Sequence, residues 1–176
     1  MMIHCTKKLL NELKINMLPD SDEISIFSWH ANLITINRRK TVVLANDKTR
    51  YAVVMYGLNS KDFKNFAKRI QNAIRETFLS ESIRPEIIDQ YLNSTSNIYF
   101  SKTGSRSSIS RMNKACELVH IYASYELFDN ENITQSDASN FANDDLVGYL
   151  NDYFHPNIFM IDELTRLHGS NILNNN

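Results

Sequence analysis

The sequence predicts an α+β fold in which an antiparallel sheet of four or five strands, including a three-stranded meander, packs one face on helices. Three observations lead there. Residues 28–36, 41–45 and 50–56 are rich in Val, Ile, Tyr, Trp and Thr, a composition that suits strands. The gaps between them, Asn37-Arg38-Arg39-Lys40 and Asn46-Asp47-Lys48-Thr49, are too short for crossover helices, so these three strands run antiparallel. Beyond Gly57 the apolar spacing turns helical.

Taken in order, Ile3-His4-Cys5 reads as a short strand, and Thr6 is placed to cap a helix over 7–14 whose Leu9, Leu10 and Leu13 share a face. Residues 15–26, with Pro19-Asp20-Ser21-Asp22-Glu23, have loop composition. After the meander, Phe63, Phe66, Ala67, Ile70, Ile74 and Phe78 form one face of a helix over 60–80, with Lys61, Lys64, Lys68 and Arg75 opposite. A helix over 85–92 opens on Pro85, which the first helical turn accommodates. Ile98-Tyr99-Phe100 is a short strand, and Ile109, Met112, Cys116, Val119, Ala123 and Leu127 define a long amphipathic helix over 105–127. Residues 129–145 are polar and acidic; helices are expected over 144–154 and 157–167, and 171–176 are expected to fray. No repeat or composition shift calls for a second folding unit, so residues 1–176 form one α+β domain with the acidic segment 129–176 partly packed on it through Leu146, Val147, Phe159 and Leu164.

Composition narrows the class without naming the activity. At 176 residues, 43% hydrophobic and 22% charged, with four glycines and two cysteines, the chain is neither collagen-like, low-complexity nor a disulfide scaffold. Cys5 and Cys116 lie far apart in no CxxC pair, which suits two reduced, buried thiols. No run of 18 apolar residues spans a membrane, and charge appears at Lys7-Lys8, too early for a secretory apolar region, so the expected location is cytoplasmic. The net charge of −1 conceals a partition: residues 1–115 carry 18 Lys and Arg against 10 Asp and Glu, whereas 116–176 carry one Arg against 10 acids. Extended basic surface meets phosphate or an acidic partner, unless the two segments neutralise one another in the fold.

Chemistry-bearing residues are few. The five histidines form no HxH, HExxH or Cys/His pair, so no metal ligand is assigned. No nucleophile elbow, P-loop or dinucleotide fingerprint occurs, so no catalytic residue and no cofactor is assigned either. Period-2 alternation puts His30, Asn32, Ile34 and Ile36 on one face of their strand and Trp29, Ala31, Leu33 and Thr35 on the other. His30 and Asn32 side by side either hold a ligand or hydrogen-bond loop backbone at the strand edge. Lys102-Thr103-Gly104-Ser105-Arg106 leads from a strand into the long helix, where the dipole favours an anion and Lys102 and Arg106 add charge. Arg38-Arg39-Lys40 at a hairpin tip either contacts a nucleic-acid backbone, with Arg50 for phosphate and Trp29 for stacking, or protects a sheet edge. Arg111 and Lys114 extend the basic set along the long helix.

Ile3-His4-Cys5-Thr6-Lys7-Lys8-Leu9-Leu10, the run from Phe27-Ser28-Trp29-His30-Ala31-Asn32 to Arg38-Arg39-Lys40-Thr41, Lys61-Asp62-Phe63-Lys64-Asn65, Ala73-Ile74-Arg75-Glu76-Thr77 and Arg111-Met112-Asn113-Lys114-Ala115-Cys116 together resemble an uncharacterised bacterial family labelled plasmid-related protein. The resemblance covers about residues 2–117, and the chain after Leu127 departs from it. It implies a domain of unknown function, sometimes joined to a passenger-type domain of mobile elements, with no catalytic residues to carry over. The leading expectation is a cytoplasmic binding module whose basic surface takes nucleic acid or another polyanion. The alternatives are a protein-interaction component of a mobile-element or defence system, engaging an acidic protein partner or presenting its own acidic segment, and a metal-independent enzyme using His30 and Asn32. The oligomeric state is left open.

Overall fold

A computed structural model describes residues 1–15, 17–18, 24–94, 97–104, 106–149 and 152–168. Pro19 and the linker residues 20–23, Ser105, Leu150 and the tail 171–176 therefore lie outside the described residues. The elements are β1 Met2–Cys5, α1 Lys7–Leu13, β2 Ser28–Ile36, β3 Arg39–Asn46, β4 Ala52–Tyr56, α2 Ser60–Lys64, α3 Phe66–Ser80, α4 Pro85–Asn93, β5 Tyr99–Lys102, α5 Arg106–Tyr125, α6 Ser136–Asn143, β6 Val147–Tyr149, β7 Asp152–Phe154 and α7 Pro156–His168.

The meander forms as its short gaps require, with Leu33 opposite Val42 and Val43 opposite Val54. The five-stranded sheet has the order β4-β3-β2-β1-β5, and β1 runs parallel to both β2 and β5, with Ile3 opposite Trp29 and Phe100. The sheet is thus mixed, not antiparallel throughout. The reason lies in the connections: residues 6–27 contain α1 and residues 57–98 contain three helices, and both are long enough for parallel crossovers.

Helices cover both faces, which corrects the one-faced arrangement expected from sequence. Ile3, Cys5, Trp29, Ala31, Leu33, Val42, Leu44, Val53 and Met55 point into a first core with residues of α1, α3, α4 and α7. Ile36, Val43, Ala45, Ala52, Val54 and Tyr56 point into a second core with α5 and α6. Val42-Val43-Leu44-Ala45 and Ala52-Val53-Val54-Met55 are apolar at every position, the pattern of strands buried on both faces. Trp29 is fully buried; its indole N–H donates to the Tyr91 hydroxyl at 3.0 Å, which in turn donates to the Ile26 carbonyl at 2.7 Å.

Three further differences concern the helices and the tail. The helix expected over 60–80 breaks at Asn65, which leaves the helical range at φ −113°, ψ 31° and closes a first short helix; that helix starts at a capping box in which Asn59 N–H donates to Asp62 Oδ2, and Lys61 N–H to Asn59 Oδ1, both at 2.8 Å. The polar stretch 129–145 contains α6, whose buried face is Ala138, Ser139, Ala142 and Asn143. Its polar members replace a strand on the edge of β4. Val54 N–H donates to Ser139 Oγ at 3.0 Å, Ala52 N–H donates to Asn143 Oδ1 at 2.6 Å, and Asn143 Nδ2 donates back to the Ala52 carbonyl at 3.0 Å. The helix expected over 144–154 is instead the hairpin β6–β7, in which Val147 pairs with Phe154. Met160 and Leu164 of α7 anchor the acidic segment in the first core. No described helix is long and apolar enough to cross a membrane.

Glu81, at the C-terminal end of α3, accepts a long hydrogen bond from the Tyr51 hydroxyl at 3.5 Å, and burial, followed by the nearby Asp144, raises its carboxyl to about 7. A carboxyl raised in the fold binds protons that the unfolded chain has already released. Stability is therefore full below the unfolded value and falls as pH rises from about 4.5 to about 7. Glu81→Gln is expected to flatten the dependence of urea midpoint on pH across that window and to raise stability at pH 8; an unchanged profile would show that Glu81 ionises at its ordinary value.

Candidate functional site

The second face of the sheet holds two polar constellations. The first is a cleft of about 190 Å³ between α5, the β3–β4 turn, α6 and the start of β6. Ala52, Ala115, Leu118 and Ala142 contribute its small and apolar surfaces, and Leu146, Val147 and Gly148 form a wall. Arg50, Arg111 and Lys114 bring three positive charges to it, and no carboxylate is among the described residues that line it. Arg111 and Lys114 sit one turn apart on α5, and Arg111 enters no salt bridge among the described residues. Lys114 faces Glu117 at 3.5 Å, but both side chains are about half exposed or more, so that pair competes weakly with a ligand.

Arg50 reaches the cleft from a rigid turn. Asn46 Oδ1 accepts from Lys48 N–H, Thr49 N–H and the Thr49 hydroxyl, each at 3.1 Å, and Asn46 Nδ2 donates to the Ile26 carbonyl at 2.8 Å. Arg50 closes the turn at φ 64°, in the left-handed region.

The second constellation is buried. His30 Nδ1 hydrogen-bonds Asp47 Oδ1; a carboxylate only accepts, so that nitrogen carries the proton. His4 stacks on His30 with ring centroids 4.7 Å apart, faces Asp47 Oδ2 through Nε2 at 3.9 Å, and shares a hydrogen bond with Ser101 Oγ through Nδ1 at 2.7 Å. Strand register explains the grouping: Ser101, His4, His30, Ala45 and Ala52 form one row across the sheet. No group of His, Cys, Asp and Glu suited to a metal ion occurs among the described residues.

The same row separates the two constellations. Ala52 belongs to the cleft and lies two strands from His30, about 10 Å at ordinary strand spacing. Proton transfer needs hydrogen-bond contact or one bridging water. His30 is not among the described lining residues of the cleft, and Ser110 is the one hydroxyl side chain among them. Three cations on one concave surface give the cleft the charge that suits an anion.

Of the residues singled out in the sequence, Arg50, Arg111 and Lys114 come together in the cleft. Trp29, expected to stack on a ligand, points into the first core with no exposed ring. Asn32 accepts from the Thr6 hydroxyl at 2.9 Å and donates to Cys116 Sγ at 3.6 Å, so it ties β2 to α5. Arg38 and Arg39 lie at the opposite end of β3 from Arg50, and Arg39 stands over the Tyr56 ring at 5.7 Å. Lys40 is paired with Glu12 at 2.7 Å. Lys102 and Arg106 are exposed beside the start of α5, outside the cleft. Both thiols are buried, which pushes Cys5 up to about 12 and Cys116 to about 11 and leaves them without thiolate chemistry near neutral pH. Sequence reasoning missed His4, Asp47 and Ser101; the one signal for His4 was its place in a short strand, Ser101 lay just past the strand expected over 98–100, and their partnership depends on parallel pairing.

Replacing a non-glycine residue in the left-handed region by glycine relieves about 1 kcal/mol of backbone strain, or about 2–4 °C in a chain of this size. Arg50→Gly is accordingly expected to raise the melting temperature by that amount while removing a cation from the cleft. A lower melting temperature would show that the guanidinium's contacts outweigh the strain.

Nothing matches this chain among curated proteins or among solved structures. A family model does match, over residues 2–159, and so extends past Leu127 through α6 and the β6–β7 hairpin that walls the cleft. Since that match takes in every element from β1 to the start of α7, the chain belongs to the family described as Domain of unknown function (DUF6933).

Proposed function

We propose that this protein is a binding module for a phosphate-bearing polyanion, nucleic acid being the class to test first, and that one phosphate sits in the cleft between Arg50, Arg111 and Lys114. The convergence of three cations on one concave surface, with no carboxylate among its described lining residues, carries this reading. A charge at a partly apolar concave surface is screened less than one on an open face. The acidic segment supports the cleft as well as balancing charge. It supplies the wall Leu146–Gly148, and the one ion pair among the described residues that joins it to residues 1–115 is Lys48–Glu163 at 2.6 Å. The sequence resemblance to a plasmid-related family is the reason to begin with nucleic acid.

Titration of a labelled oligonucleotide, single- and double-stranded, tests the proposal. Affinity should fall steeply with salt, and Arg111→Ala with Lys114→Ala should reduce the slope of log K against log salt by roughly 0.7 per lost contact on single strands and 0.9 on duplex. Arg38→Ala with Arg39→Ala, at the far end of β3, should leave affinity within about twofold. Salt-independent binding, or none at low salt to either form, would reject the reading.

A second reading rests on a different surface. Glu76, Asp129 and Asp137 line a groove of about 390 Å³ with Tyr122 and Leu127, and none of the three carboxylates enters a salt bridge among the described residues. Hydrogen bonds from Asn132 and Glu131 hold the Asp129 carboxyl below its ordinary range, and burial, then Asp137 and Glu126, raise the Tyr122 hydroxyl. Leu127 is 89% and the nearby Tyr125 81% exposed, which suits a basic protein segment carrying an apolar residue. A Lys/Arg-rich peptide with one central leucine should bind, and Asp137→Asn with Glu76→Gln should weaken it severalfold; equal affinity of the charge-neutral variant would remove this reading.

A further inference from the structure

The buried network and the cleft meet in the β3–β4 turn. Asp47 and Arg50 are its first and last residues, and the network grips Asp47 from several sides. His30 of β2 donates to Oδ1, His4 of β1 faces Oδ2, and the Asp47 N–H donates to the Ser28 carbonyl at 2.9 Å. At the other end of the turn Arg50 N–H donates to the Asn46 carbonyl at 3.0 Å and holds φ 64°. We infer that His30, through its bond to Asp47, is a positioning residue that sets the anion affinity of the cleft by holding the turn in the shape that presents Arg50. This inference rests on the anion-binding reading of the cleft and adds a determinant two strands, about 10 Å, from Ala52 of the cleft lining.

Two observations favour that role over simple packing. His30 is 7% exposed, and its Nε2 is buried with no hydrogen-bond partner among the described residues. An unpaired buried nitrogen is destabilising, and an apolar side chain in the same space would avoid it. What the imidazole supplies instead is the Nδ1 donor to Asp47. Between His30 and the cleft, moreover, the row holds Ala45 and Ala52, which are too small to transmit a displacement by side-chain packing. The turn backbone from Asp47 to Arg50 is the remaining covalent route, fixed at Asp47 by His30 and along its length by Asn46. A catalytic role for the Ser101–His4–Asp47 set is not inferred, because Ser101 has no exposed surface through which to attack a substrate.

A double-mutant cycle read by oligonucleotide anisotropy decides the matter. His30→Leu should weaken binding about tenfold, and the same change in an Arg50→Ala background should cost no further affinity. His30→Asn, whose amide nitrogen takes the place of Nδ1, should retain affinity within about threefold. Asp47→Asn should weaken binding, again only when Arg50 is present, and serves if His30→Leu does not fold. Equal losses in the two backgrounds, wild-type affinity in a folded His30→Leu protein, or His30→Asn as weak as His30→Leu would overturn the inference while leaving the cleft intact. Absence of oligonucleotide binding by the unmodified protein would instead remove the cleft reading, and this inference with it.

Discussion

Val42-Val43-Leu44-Ala45 and the facing Ala52-Val53-Val54-Met55 are buried along their whole length, so neither face of the meander tolerates water. Each buried aliphatic side chain gains roughly 1.5–3 kcal/mol from leaving water, and both faces must be covered to collect that gain. The chain meets this constraint with α1, α3, α4 and α7 on one side and α5 and α6 on the other. Once α5 is committed to the second face it crosses β2 and β3, and its flank at Arg111 and Lys114 overlooks the β3–β4 turn. The cleft is thus a by-product of covering the sheet twice.

The two faces are not alike. The first core packs the largest side chains, with Trp29, Tyr51, Phe78 and Tyr91 fully buried and their hydroxyl and indole groups paired. On the second face the row Ser101, His4, His30 replaces apolar side chains with groups that must find partners, and Asp47 serves two imidazoles at once. Buried polar groups are costly when unpaired and specific when paired. They fix the register of β5, β1 and β2 against one another more narrowly than apolar packing does, since a slip of one residue would carry both histidines into the first core.

How much of this was legible in the sequence follows from the range of each signal. The meander was, because four-residue gaps leave the chain no alternative, and so were the amphipathic stretches that became α3 and α5. The parallel pairing of β1 was not: Ile3-His4-Cys5 has no local feature that chooses a partner, and the choice depends on a crossover through residues 6–27. Nor was α6, since Ser139 and Asn143 look like loop residues until β4 is seen to need donors and acceptors on its open edge. The hairpin β6–β7 was read as a helix because its apolar residues are too few to separate a period of two from one near four. In the candidate site, Arg50, Arg111 and Lys114 stood out as charges, but only the crossing of α5 over the turn selects them from the other cations.

Positive φ alone marks nothing here. Asn37 and Arg38 adopt φ 48° and 64° at the tip between β2 and β3, where a two-residue hairpin demands left-handed backbone at both positions. That tip is exposed, and its strain is the ordinary cost of reversing the chain. The β3–β4 turn differs in what coincides with the strain: a buried carboxylate, an imidazole with an unpaired buried nitrogen, and a guanidinium turned toward a cleft, all within or against residues 46–50. A sequence selected for stability alone would favour glycine at Arg50 and apolar residues in place of both His30 and Asp47. Unfavourable local choices that cluster at one place in an otherwise well-paired fold point to a constraint other than folding, and here they cluster beside the cleft.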